Sequence, residues 1–311
     1  MRNAAGRLSG VAEREDRAAA GAIGRWSAWL PLLLSPTAVL FAAPHLTRWL
    51  FMWLLAFAIY AGLKWLTLWQ AWRSRREGGL LRSAAYLLGW PGMDARAFLD
   101  RSARPAPTRA SEWMAGLLKM GLGAIFLWIG VPVLSRYGVL VTGWTGLVGL
   151  ILLLHFGAFH LASLVWRSLG IRAMPIMRAP LAATSVSDLW GRRWNLAFHT
   201  LARDLVVAPL RETIGVPAAT LCAFALSGLV HDLVISVPAG GGYGLPTAYF
   251  LLQAGALLLE RSAAGRHLGL GRGVRGRVFA VAVVAGPAFF LFHPPFIEHV
   301  VIPFLQAIHA L

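Results

Sequence analysis

The sequence is poor in charge and nearly free of cysteine. Asp, Glu, Lys and Arg together make up 14% of its 311 residues, where a soluble domain carries about 25%. So few charges cannot cover the surface of an ordinary water-soluble globule. The single cysteine, Cys222, excludes an internal disulfide framework and any cysteine-based metal cluster. Acids are scarcest, 13 against 29 basic residues. The resulting net charge of +16 would suit nucleic acid. The arginines fall between apolar runs, however, which fits topology signals and anionic lipid headgroups better than a nucleic-acid partner.

What the chain does have is apolar length, 58% hydrophobic residues and a mean hydropathy of +0.63. Apolar runs near 26–43, 46–69, 113–134, 139–166, 216–237, 245–259, 278–292 and 296–310 predict an all-α, polytopic transmembrane bundle of about eight spans. Residues 1–25 have no apolar periodicity and read as a disordered cytoplasmic tail ahead of one membrane domain, 26–311. A shorter patch, 84–90, closed by Pro91-Gly92, is too short to span and reads as interfacial or re-entrant. Basic residues crowd the tail and the stretches 73–109, 167–211 and 261–277. The connections near 44–48, 135–138, 238–244 and 293–295 carry only Arg48 and Arg136. That alternation predicts cytoplasmic termini.

Two stretches carry chemistry. Residues 188–205, drawn as one helix capped by Ser187 or Asp188, place Trp190, Trp194, Ala197, Phe198, Leu201 and Leu205 on one face. Asp188, Arg192, Asn195, His199 and Arg203 fall on the other. One reading is an interfacial helix with its tryptophans in lipid. The other is a polar face over the mouth of a chamber, with Arg192 and Arg193 pairing with phosphates of an acyl carrier. The second stretch buries His231 about fifteen residues into an apolar run. A core histidine bonded to a neighbouring helix is one reading, and a neutral imidazole ready to take a proton is the other. Ser227 is one turn back on the same face, and Asp232 points about 100° away.

Other signals carry less. His155 and His160, five apart, sit about 140° apart on a helix, the wrong angle for a metal pair. Gly271 to Gly276 fits G-x-G-x-x-G, but with no preceding strand it reads as a flexible loop rather than a dinucleotide site. Gly143, Gly146 and Gly149 read as points of close helix packing.

Trp190-Gly191-Arg192-Arg193-Trp194-Asn195 followed by Ser227-Gly228-Leu229-Val230-His231 resembles the wax-synthase-like branch of the membrane-bound O-acyltransferases. Pro91-Gly92-Met93-Asp94, the segment from His155 to Gly170, Pro180, Glu260-Arg261 and His293-Pro294-Pro295-Phe296 look like bacterial members of it. The resemblance implies acyl transfer from acyl-CoA, as co-substrate and with no cofactor, to the hydroxyl of a lipophilic alcohol. It maps the family's histidine onto His231 and its polar partner onto Asn195. Arg192, Arg193, Trp190, Trp194 and Ser227 are the expected substrate contacts. Leu189, where the motif usually has Phe, and Asp232, where an acid, often Glu, follows the histidine, depart from the pattern. Such chemistry needs a base near the acceptor oxygen and a donor near the thioester carbonyl, roles open to His231 and Asn195. The implied setting is a bacterial inner membrane with the N-terminus cytoplasmic. A simple topology leaves Asn195 cytoplasmic and His231 deep, so either the helix of Asn195 dips into the membrane domain or the chamber is funnel-shaped.

A transporter or flippase with a proton-coupling histidine is the alternative, and a membrane scaffold a further one. Transporters more often carry internal repeats and several intramembrane acids; this sequence has no repeat, and Asp232 and Glu260 lie near helix ends.

Overall fold

A computed structural model describes residues 27–74, 79–102 and 104–311. The expected tail over 1–25 lies outside them. Over the described residues all eight apolar runs are helical. In chain order the helices are α1 (Leu30–His45), α2 (Arg48–Arg73), α3 (Gly79–Gly89), α4 (Ala95–Leu99), α5 (Ala110–Tyr137) and α6 (Val139–Ser168). After an irregular stretch come α7 (residues 186–193), α8 (Leu196–Ala239), α9 (Leu245–Arg261), α10 (Ala263–Leu268), α11 (Gly273–Leu291) and α12 (residues 294–307).

The protein is an all-α integral membrane bundle, and five helices, α2, α5, α6, α8 and α11, are long and apolar enough to cross a membrane. Three of the eight expected spans are shorter. At 14 residues α12 is about 21 Å long, against about 30 Å of hydrocarbon. It serves as core: Phe296, Ile297, Val300, Val301 and Leu305 are buried against Leu127 and Val131 of α5, Leu147 of α6, and Ile235 and Ala239 of α8. An apolar run reads the same whether lipid or protein surrounds it, so hydropathy alone could not separate the two.

Glycine makes that burial possible. A Cβ at Gly143 would collide with the Ile297 side chain and one at Gly146 with Leu305, so α6 meets α12 through a face without side chains. At the other end, Gly271 to Gly276 is not the loop expected from sequence. Helix α11 begins at Gly273, and a Cβ at Gly276 would overlap the Thr184 carbonyl.

The patch before Pro91 is α3, which buries Ser83 and Tyr86 and exposes Leu80, Leu81 and Leu88. What holds it is Lys64 of α2, 1% exposed, whose Nζ donates to the carbonyls of Trp90 (2.9 Å) and Gly92 (2.8 Å) over the ring of Tyr86. Trp166 of α6 adds an indole N–H to the Gly89 carbonyl at 2.9 Å. Chain between helices must find such donors when water is excluded. Replacing Lys64 by Met should leave the Gly92 carbonyl unpaired and loosen residues 79–100 by about 1–3 kcal/mol. Hydrogen exchange checks this: exchange should quicken there and not in α5 or α6, and an unchanged profile would remove Lys64 as the anchor.

Candidate active site

The expected single helix over 188–205 is not formed. Ser185, rather than Ser187 or Asp188, caps α7, its hydroxyl accepting from Asp188 N at 2.9 Å. Helix α7 then widens into π-type winding over Leu189–Arg193 and stops. Trp194 is extended, and Asn195 adopts a left-handed conformation with φ 42° and ψ 58°. Asn is among the few non-glycine residues that tolerate this region. The break is braced from outside: Arg178 N donates to Arg193 O (2.8 Å), Asn195 N to Met177 Sδ (3.2 Å) and Leu196 N to Ile176 O (2.9 Å). Asn195 thus caps α8, its Oδ1 facing Phe198 N at 3.5 Å. Its Nδ2 amino group has no protein partner among the described residues.

Helix α8 carries both candidate catalytic residues and is bent between them. Gly215 has φ 79° and ψ 162°, backbone open in practice to glycine alone, and Pro217 follows. Beyond that bend the chain runs back, and Arg203–Val207 packs against the returning leg. At 1.5 Å per residue, Asn195 stands about 30 Å and His231 about 24 Å along their legs from the bend. Sequence reasoning left one residue at the membrane surface and the other deep. The bend at Gly215 lies between the two residues, and no hydrogen bond joins them.

The imidazole of His231 is fixed from two sides. Nδ1 lies 2.7 Å from the main-chain carbonyl of Ser227, an acceptor only, so Nδ1 carries the proton and donates. The ring centroid of Phe250, on α9, is 4.5 Å away. In the neutral ring Nε2 is then the acceptor, and it has no protein partner among the described residues. Ser227 therefore acts through its backbone rather than the hydroxyl expected from sequence. Gly228 has a separate reason: a Cβ there would sit 2.6 Å from Thr247 Cα, so its absence lets α8 and α9 touch one turn before His231.

Aromatic rings close the surroundings. Trp190 lies 5.8 Å from Phe224 and 5.9 Å from Phe250, and those two are 6.5 Å apart, so three rings cluster and Phe250 joins them to the imidazole. Trp194 instead faces Phe156 of α6 at 6.3 Å. The structure thus links Trp190 to His231 only through Phe250, and places Trp194 against a different helix.

Arg192 and Arg193 are paired. Both guanidinium groups reach the buried carboxylate of Asp188, at 3.0 Å and 2.6 Å, although the Arg192 side chain is still 76% exposed. Burial pushes the Asp188 carboxyl up, but the Arg193 bond, the Thr184 N–H and the two positive charges outweigh it and hold it below its ordinary value. With Arg178 and Thr184 these residues line an open pocket of about 430 Å³. Three guanidiniums over one carboxylate leave a positive site suited to phosphate. The sequence reading missed Arg178, Phe224 and Phe250, which no motif marks. It treated Asp232 only as a poor orienter, and Asp232 indeed makes no hydrogen bond to His231.

Residues 173–252 match the model of the Membrane bound O-acyl transferase family. The chain is 29% identical over 145 residues to a long-chain-alcohol O-fatty-acyltransferase of Simmondsia chinensis, covering 42% of this chain and 41% of that protein. It is 31% identical over 152 residues to probable long-chain-alcohol O-fatty-acyltransferase 7 of Arabidopsis thaliana, covering 42% of each. A third relative is an acyl-CoA–sterol O-acyltransferase of the same plant, 34% identical over 67 residues, or 19% of each chain. The chain thus spans less than half the length of these curated relatives. The resemblance to the wax-synthase-like branch is upheld, and the matched stretch contains the site from Arg178 to Phe250.

If Gly215 sets the reversal, Gly215→Val costs about 1–3 kcal/mol of backbone strain and should separate the two legs. A spin-label distance between the leg at 205 and the leg at 225 should lengthen. An unchanged distance would mean that packing elsewhere sets the bend.

Proposed function

We propose that the chain is an acyl-CoA-dependent O-acyltransferase that esterifies the hydroxyl of a lipophilic alcohol. The observation carrying this reading is the state of His231: Nδ1–H committed to a carbonyl, Nε2 free, one face covered by Phe250. That is the arrangement of a general base held in one tautomer and shielded from water. The alcohol O–H gives its proton to Nε2 as the oxygen attacks the thioester carbon. The C–S bond then breaks, and the imidazolium returns the proton to the departing thiolate. The products are ester and CoA thiol, with the histidine restored and no covalent acyl-enzyme. The free amino group of Asn195 is the candidate donor to the carbonyl oxygen as it becomes negative.

The pocket of Arg178, Arg192 and Arg193 is assigned to the phosphates of CoA, on the face we take as cytoplasmic from the distribution of arginine, with the N-terminus on that side of a bacterial inner membrane. Trp190 and Trp194 are assigned to the walls that the two substrates pass. The relatives named above are acyltransferases, and no observation favours transport.

His231→Ala should insert and fold yet lose turnover by about a hundredfold or more. Palmitoyl-CoA with a panel of alcohols, followed by ester formation, provides the assay, and near-normal turnover in this variant would end the proposal. For Asn195, alanine is a poor probe because it adds backbone strain at a positive φ. Asn195→Gly keeps the backbone and deletes the amide, so kcat should fall by about 10²–10³ with KM for acyl-CoA nearly kept. Arg192→Gln with Arg193→Gln should raise KM for acyl-CoA far more than KM for alcohol. A change confined to membrane insertion would assign those arginines to topology alone.

A further inference from the structure

Helix α9 is tied at three levels to the pieces that form the site. At its N-terminus the helix has no cap of its own, because Gly244 has no side chain. Asp232, next to His231, supplies one from α8: its carboxylate accepts from Gly244 N (2.8 Å), Thr247 N (3.0 Å) and the Thr247 hydroxyl. Its remaining contact, from Ser236 Oγ at 2.9 Å, stays within α8. One turn into α9, Phe250 covers the His231 ring.

At mid-helix is Gln253, 0% exposed. Its Oε1 accepts the Trp190 indole N–H at 3.3 Å, and its Nε2 donates to Val283 O of α11 at 2.9 Å. At the far end Glu260, 5% exposed, accepts Val186 N (2.7 Å) and Ser187 N (3.3 Å), the first amides of α7. Two apolar neighbours would have packed these helices without a buried amide, which is costly in a membrane unless both its ends are bonded. Gln253 instead stands between the indole of Trp190 and α11, bonded at both ends.

We infer that α9 is a strut that sets the position of the Trp190–Asn195 segment relative to His231, with Gln253 and Glu260 its positioning residues. The inference rests on the reading of His231 and Asn195 as the reacting pair. Neither Gln253 nor Glu260 touches substrate in this scheme; each acts through α7, one on its indole and one on its first amides. Loss of either contact leaves His231 seated on Ser227 and Phe250 and frees the segment that ends in Asn195. Chemistry should therefore suffer and substrate capture should not.

The test uses the full-length protein in detergent or vesicles, with palmitoyl-CoA and 1-hexadecanol as probes. Gln253→Met keeps the shape and removes both hydrogen bonds; Glu260→Met keeps the length and removes both acceptor oxygens. Two readouts are taken on each: kcat and KM, and hydrogen exchange over residues 186–195. The strut predicts exchange at least tenfold faster there and little changed in α5 and α6. It also predicts a tenfold or greater fall in kcat, with KM for palmitoyl-CoA within twofold. A Trp190→Phe background should make the Gln253→Met effect on kcat vanish, since the shared bond is already gone. Unchanged exchange over 186–195, or an unchanged kcat, in folded variants overturns the inference. Should Gln253→Met fail to fold, Glu260→Met decides on its own. If the unmutated protein esterifies no alcohol, the proposed function falls, and the exchange measurement still decides whether α9 holds the segment.

Discussion

The site depends on the backbone at Gly215. A helix of 44 residues would reach about 66 Å if straight, more than twice the thickness of a hydrocarbon core. Its N-terminal residue neighbours Asn195 and its C-terminal part carries His231, so a straight helix would put them on opposite sides of any membrane. A positive φ with ψ near 160° at one glycine folds the rod back on itself. The legs touch at Arg203–Val207, and Asn195 and His231 lie beyond that contact, toward the open end.

The second constraint is that polar groups inside a membrane bundle must be satisfied by protein. Several charged side chains have been put to that use. Lys64 ties down two carbonyls ahead of α4, Asp232 caps α9, Glu260 caps α7, and Asp188 receives two arginines. The Nε2 of His231 and the Nδ2 of Asn195 have no protein partner among the described residues, while both residues have their other polar atom bonded within their own helix or cap. The combination of one committed and one available nitrogen or amide is what fixes orientation while leaving capacity for a substrate.

The sequence by itself determined the class of molecule, because low charge and long apolar runs depend only on composition and order. It also marked Trp190 to Asn195 and Ser227 to His231 as the informative stretches. It could not show that α7 ends at Trp194, because a helical wheel assumes a constant 100° per residue, and π-type winding followed by a left-handed Asn195 breaks that assumption. Nor could it show that one face of α12 is buried against α5, α6 and α8. Gly228 was visible as part of a motif; its reason, the backbone of Thr247 at 2.6 Å from where a Cβ would be, was not. Phe250, Gln253 and Glu260 lie some twenty to thirty residues past His231 and reach the site by packing alone. Periodicity reports which residues share a face of one helix. Which helix that face meets, and at what height, is decided by turns such as Gly215 and by hydrogen bonds between distant segments, and those exist only in the folded chain.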